Sequence, residues 1–273
     1  MNINANYLAV VFNSTIRMMT PILFVGLGSA LCNRVFIFNI GLEGTMLTGA
    51  FAAIVANYYT GSIFISLLAA MISAMIVSWI AGIFMVKFKG AMLVVGVSIN
   101  MLISGLTTFL MQIIFGVKGA YVSTDLVPLH KIDVSMLKQW PILQTMFGSL
   151  TYLDFFAFIL AIILYFFLFR TVTGFRMRSV GINKVAAQSL GINADRLQIG
   201  TVAFSGLLSG IGGCLLTMGG VTMFAQNITA GRGYIAMAAA TLGAAHPLGV
   251  VAGSAFFGFA GGVCARIWRA GGG

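Results

Sequence analysis

Four stretches of the chain, residues 62–86, 90–117, 197–231 and 233–265, contain no Asp, Glu, Lys or Arg. Each is longer than the about 20 apolar residues that cross a hydrocarbon core. Only 7% of the 273 residues are charged, whereas soluble proteins carry about a quarter. A water-facing surface cannot be assembled from so few charges, so most of the length must sit in lipid. Weaker spans are expected at residues 5–33, which contain Arg17 and Pro21, and at 35–57, uncharged apart from Glu43. A further one is expected at 155–169, extended backwards through TYLDFFAF. The fold class is therefore an all-α polytopic membrane bundle of about eight spans, some of them broken or half-helices, forming one transmembrane domain over 1–273.

The fifteen Lys and Arg against five Asp and Glu give a net +10. They lie between apolar runs rather than in a patch, so their meaning is topological and no nucleic-acid partner is indicated. The turn at Lys87 and Lys89 and the segment from Arg170 to Arg196 are the basic loops and belong inside. One span separates each from residues 118–150, a polar segment with Lys118, Asp125, Pro128, His130, Asp133 and Pro141 that must face out. Counting back places Arg34 inside and the amino terminus outside. The amino end shows no basic start and no cleavage site, so insertion is expected to proceed through the spans themselves. Cys32, Cys214 and Cys264 lie in apolar runs without ligand spacing and read as small apolar residues.

After Met218 the pattern becomes irregular: GGVTMFAQNITAGRGYIAMAAATLG carries Gly219, Gly220, Gly231 and Gly233, a Gln-Asn pair and a lone Arg. Broken backbone at membrane depth survives only where protein or a water-filled cavity satisfies it, so short half-helices near the outer face are expected. Small residues recur four apart, as in Gly206/Gly210, Ser205/Ser209, Gly258/Gly262 and Gly49/Ala53, and predict close helix contacts. His246 before Pro247 reads as a turn residue, and the Phe cluster at 155–169 as lipid-facing.

The chain has no HExxH, GxSxG or GxxxxGK[ST], and with five acids and two His it offers little for catalysis. It is expected to be no enzyme, to bind no metal or cofactor, and to draw energy from a partner or a gradient. The sharpest polar signal is NIGLEG at 39–44, where Asn39 and Glu43 are spaced to share a helix face beside Gly41 and Gly44. An intramembrane carboxylate is either a functional group or a structural one, pairing with Arg34 or capping a half-helix started after Gly41. The structural role is preferred. A second stripe, Asn100, Ser104 and Thr107 or Thr108, either lines a solute path or bonds to a neighbouring helix. Phe224, Gln226 and Asn227 in the broken segment are candidates for an outer gate.

On the inner side, TGFRMRSVGINKVAAQSLGIN at 173–193 predicts a short helix. It starts around Gly181 and Asn183, runs through Ala186, Ala187 and Leu190, and stops at Gly191. By itself it could be a surface helix or a headgroup anchor for membrane lipid.

NIGLEG at 39–44, TGFRMRSVGINKVAAQSLGI at 173–192, FSGLLSGIGG at 204–213 and TAGRGYIAMAAATLGAAHPLG at 229–249 together resemble one known family. This is the family of membrane permease subunits of ATP-binding-cassette importers in the ribose, branched-chain amino acid and nucleoside group. NIGLEG with TAGRGYIA resembles the nucleoside branch. The resemblance implies a bacterial cytoplasmic-membrane importer subunit with a separate ATPase, a second homologous permease and an extracellular substrate-binding lipoprotein as partners. It implies that the loop at 171–196 carries the coupling helix, with Gly181, Asn183, Ala186, Ala187, Leu190 and Gly191 engaging the ATPase. A nucleoside offers hydroxyls and ring nitrogens but no charge, so its path should present amides, hydroxyls and an aromatic face; Asn39, Asn100, Ser104, Phe224, Gln226 and Asn227 are expected along it, with Gly41, Glu43 and Gly44 structural or gating. Members of this short type continue with another loop and a final apolar helix, so a terminal span is expected to be missing after RIWRAGGG. A ribose-like sugar permease is the alternative, followed by a free-standing secondary transporter or channel.

Overall fold

A computed structural model describes residues 5–123, 126–131, 144–146, 148–220 and 222–271, with side chains placed between residues 9 and 264. Asp125, Asp133 and Pro141 of the expected outer loop lie outside these residues. The described chain runs α1 (Ala5–Arg34), α2 (Leu42–Thr60), α3 (Ile63–Val86), α4 (Met92–Phe115), β1 (Ala120–Val122) and α5 (Tyr152–Arg170). It continues as α6 (Val172–Ile182), α7 (Lys184–Ser189), α8 (Ala194–Met218), β2 (Met223–Ala225), α9 (Arg232–Leu242) and α10 (Pro247–Gly271). Among the described residues six helices, α1, α3, α4, α5, α8 and α10, are long and apolar enough to cross a membrane. The buried α2 and the half-length α9 complete an eight-helix, multi-pass membrane bundle.

The bundle has two distinct ends. At one, the α3–α4 turn with Lys87 and Lys89 approaches α7 across a cavity of about 740 Å³ that Phe36, Lys184, Gln188 and Gln198 also line. Gln198 Nε2 donates to the Val35 carbonyl (2.9 Å), tying the end of α1 to the start of α8. At the other, β1 pairs antiparallel with β2, with Tyr121 opposite Phe224. There the Asn57 side chain both donates to and accepts from the Val127 backbone at 2.9 and 3.0 Å. The two basic loops therefore share one end and the described parts of 118–150 the other, as the charge pattern requires.

The core sits around α8, which packs between α1, α2 and α3. Close packing is possible because the contact points lack side chains: a Cβ on Gly49 would stand 2.5 Å from the Cα of Gly210. Gly206 abuts Ser78, and Gly210 abuts the Ala70 carbonyl. In lipid, where apolar burial gives little drive for helix association, such small-residue contacts supply the van der Waals packing. Gly258 of α10 packs on Met19 of α1 in the same way.

Two sequence expectations are corrected here. Residues 197–231 and 233–265 do not form two uninterrupted crossings. Helix α8 ends at Met218, the chain turns through β2, and α9 stops at Leu242 before α10 begins. The half-helix also lies toward the basic end rather than near the outer face. The turn that follows it is held by Arg34, whose Nε donates to Ala245 O (2.8 Å) and whose Nη2 donates to Ala244 O (3.2 Å). Both alanines have positive φ, 51° and 52°, and such left-handed geometry persists where the surroundings over-determine it. The small ribbon of β1 and β2 was not expected either.

Sidedness can be read directly. In a Cys264→Ser background, Gln226→Cys and Ser189→Cys each place a thiol on an exposed position at opposite ends. A membrane-impermeant thiol reagent applied to intact cells is expected to label only the first. Labelling of Ser189→Cys alone would invert the orientation.

Candidate functional site

Helix α2 begins at Leu42, with Gly41 as its N-cap, and runs toward the β-ribbon end. At 1.5 Å rise per residue its 19 residues span about 28 Å, which leaves its first turn deep in the half of the bundle nearer the basic end. Helix α9 starts at the same depth and runs the opposite way. The N-termini of the two helices therefore converge, and Glu43 stands between them.

The Glu43 carboxylate, 7% exposed, accepts from the backbone N–H of Gly231 (2.9 Å) and of Gly233 (2.6 Å). These are donors that the first turn of α9 cannot satisfy internally. Both helix dipoles present their positive ends to the buried carboxylate, which favours a negative charge there. Gly231 adopts φ +80°, a left-handed conformation that aims its N–H inward. A Cβ on Gly233 would lie 2.6 Å from the Glu43 Cα, so only glycine permits this approach. Arg232 folds back to donate to the Ile228 and Thr229 carbonyls at 3.0 and 3.3 Å, and its charge lies within electrostatic reach of Glu43. Arg34 bonds carbonyls in the turn just beyond the helix, so α9 has an anion at its N-terminus and a cation close to its C-terminus, matching its macrodipole at both ends.

Asn100 closes the site from α4. Its Oδ1 accepts from Gly44 N (2.8 Å), and its Nδ2 donates to Ile40 O (3.0 Å) and to the Tyr234 phenol oxygen (2.9 Å). Ser104 lies one turn further on the same face of α4, half-buried. Gly41 and Gly44 provide the room for this contact: Gly96 of α4 fits against Gly41, and a Cβ on Gly44 would meet Asn100 Oδ1 at 2.8 Å.

Several expected roles change. Asn39 and Glu43 do not share a helix face, because the helix starts only at Leu42. Asn39 is buried in the preceding turn, accepting from Gly41 N (3.1 Å) and reaching Ser205 Oγ (3.5 Å). Glu43 neither pairs with Arg34 nor caps only its own helix, since it caps α9. Phe224 is turned inward by strand alternation, 1% exposed, edge-on to Phe51 at a centroid distance of 5.2 Å. Gln226 and Asn227 are exposed in the tight turn that follows, where Asn227 has φ +57° and Gln226 N donates to Gly119 O (2.7 Å). The structure thus brings Gly41, Glu43, Gly44 and Asn100 together and leaves Phe224, Gln226 and Asn227 at the far end. Sequence reasoning missed Gly231, Gly233 and Tyr234 as partners of Glu43 and Asn100. Their one signal was the TAGRGY string, whose glycines marked a break without saying what it faced.

At the basic end, α6 and α7 form a hairpin. Asn183 Oδ1 caps α7 by accepting from Ala186 N (3.0 Å), and Gly191, at φ +80°, ends it. Ala187 is buried against Val180 and Ala194, whereas Ala186 and Leu190 face outward. Gly181 packs directly on the Arg34 carbonyl, and the Phe169 ring lies 5.7 Å from the Arg34 and 5.0 Å from the Arg178 guanidinium carbon. The hairpin is thereby joined to the residue that holds the end of α9. The Lys184–Asp195 ion pair (2.7 Å) is solvent-exposed and contributes at most about 1 kcal/mol.

A bundle of membrane helices interrupted at depth around a polar cluster, with a capped helix pair projecting from one end, is the architecture of a multi-pass transport subunit. The chain belongs to the family described as the permease component of the branched-chain amino acid transport system, whose pattern matches residues 11–264. It is similar to the guanosine ABC transporter permease protein NupQ of Bacillus subtilis, 34% identical over 262 residues that cover 93% of this chain and 81% of that one. The nucleoside ABC transporter permease protein NupC of Lactococcus lactis is 30% identical over 93% of this chain and 81% of its own length. The putative glucose ABC transporter permease protein TsgC13 of Haloferax volcanii is 24% identical over 93% and 76%.

Proposed function

We propose that this chain is a single-domain permease subunit of a nucleoside importer of the ATP-binding-cassette type in a bacterial cytoplasmic membrane. It forms one half of a permease pair, receives nucleoside from an extracellular substrate-binding lipoprotein, and is driven by a separate ATPase subunit. The observation that carries this reading is the composition of the deep cluster: amides, a phenol and backbone groups, with the Glu43 carboxylate already committed to α9. A nucleoside carries hydroxyls and ring nitrogens and no charge, so it needs this chemistry and no free ion. The guanosine and nucleoside permeases among the relatives support the same solute.

On this reading the Asn100–Ser104 face borders the path, Asn39, Gly41, Glu43 and Gly44 hold its wall, and Gln226 and Asn227 meet the binding protein. The ATPase docks on the α6–α7 hairpin. Ile182, Val185 and Leu190 are 87%, 72% and 80% exposed there, beside lysines and outside the apolar spans. Apolar side chains so placed gain from a protein partner.

The test is uptake of radiolabelled guanosine, ribose and glucose by cells with and without this gene. Deletion is expected to abolish ATP-dependent guanosine uptake and to leave both sugars unchanged. Loss of sugar uptake with guanosine retained would replace this reading by the sugar one. Guanosine uptake that survives ATPase inactivation but collapses with the proton gradient would make the chain a secondary transporter.

A further inference from the structure

We propose that Tyr234 is the group that contacts the nucleoside at depth, and that Asn100 is its positioning residue; this rests on the nucleoside-permease reading. Asn100 has two amide hydrogens and one carbonyl oxygen. The hydrogens go to Ile40 O and the Tyr234 phenol, and the oxygen accepts from Gly44 N. It has no hydrogen left for a solute.

Tyr234 is in the opposite condition. Its oxygen accepts from Asn100, which orients the ring and leaves the phenolic hydrogen pointing away from the amide, with no acceptor among the described residues. The residue is 46% exposed, although it sits in the first turn of α9, next to buried Glu43. A hydroxyl hydrogen without an acceptor is costly against hydrocarbon, so this surface must face a polar occupant of the membrane interior. The phenol offers one donor to a ribose oxygen or a ring nitrogen, and the ring offers an apolar face on which a base can stack. The pair of glycines that seats Tyr234, Gly231 and Gly233, is bonded to Glu43, so the donor is fixed from both sides.

The experiment measures uptake at saturating substrate for guanosine and for analogues in which each acceptor, the 2′, 3′, 4′ and 5′ oxygens, N3, N7 and O6, is removed in turn. The proteins compared are the parent, Tyr234→Phe and Tyr234→Ala. Tyr234→Phe keeps the ring and loses only the donor. It is expected to slow guanosine about five-fold, the effect of one net hydrogen bond. The slowing should vanish for the one analogue that lacks the paired acceptor. Tyr234→Ala also removes the stacking face and is expected to slow every nucleoside, by about ten-fold or more. Asn100→Leu should reproduce the altered analogue profile of Tyr234→Phe while the protein still inserts. A Tyr234→Phe protein that matches the parent for all solutes, or that slows all of them equally, overturns the assignment. A parent that moves no nucleoside at all overturns the underlying reading instead.

Discussion

Glu43→Ala is expected to be the most damaging single change in the bundle. It leaves the N–H groups of Gly231 and Gly233 without an acceptor and removes the anion facing two helix N-termini. Hydrogen bonds to a charged group contribute about 1.5–3 kcal/mol each, so the loss should be roughly 3 kcal/mol or more. Purified in detergent, the variant should show a lowered midpoint of thermal aggregation and reduced yield, with uptake lost for every solute together. Glu43→Gln preserves the shape and one acceptor oxygen, but turns an amide N–H₂ toward a backbone N–H. It should fall between the parent and Glu43→Ala in stability and impair assembly more than selectivity. Parent-like stability in both variants would show that the α9 cap does not hold the bundle together.

Charge introduced on the exposed face of α7 should act differently. Val185→Asp with Leu190→Asp alters two outward side chains and no buried contact, so insertion and detergent stability are expected to remain those of the parent. If this face docks the ATPase, desolvated apolar contacts are lost and carboxylates replace them. Interface hot spots of this kind cost about 2 kcal/mol or more, which corresponds to roughly 30-fold weaker association. Uptake should fall accordingly, and the ATPase should no longer co-purify. Ala187→Asp is the instructive contrast. That side chain, 2% exposed, packs between Val180 and Ala194, so its replacement should unfold the hairpin rather than detach the partner. Normal uptake in the Val185→Asp, Leu190→Asp protein would move the docking site elsewhere.

Most of the spans, the pairing of the two basic loops at one end and the short helix between Asn183 and Gly191 were legible in the residues. They depend on local properties: runs long enough for the hydrocarbon core, charges that resist translocation, and a side-chain cap three residues from the N–H that it accepts from. The break after Met218 was legible for the same reason, because glycine and amide side chains destabilise a lipid-facing helix wherever they occur. Its direction was not. The half-helix runs toward the basic end because Arg34 and Glu43 bind its two ends, and those contacts join residues 211 and 188 positions apart.

The candidate site follows the same division. That NIGLEG carried an unusual carboxylate was visible in six residues, and so was the choice between a functional and a structural role. That Glu43 answers to Gly231 and Gly233, that Asn39 turns away to Ser205, and that Asn100 is consumed in holding Tyr234 depended on which helices pack side by side. Periodicity reports which residues share a face of one helix, and it is silent on what that face meets. Asn100 and Tyr234 lie 134 residues apart and come within 2.9 Å only because glycines at 44, 96 and 233 let α2, α4 and α9 close on one another. Local hydropathy and capping determined which segments enter the membrane and at which end they turn. The tertiary packing decided which polar groups are spent within the protein, as Glu43 and Asn100 are, and which, like the phenolic hydrogen of Tyr234, have no acceptor among the described residues.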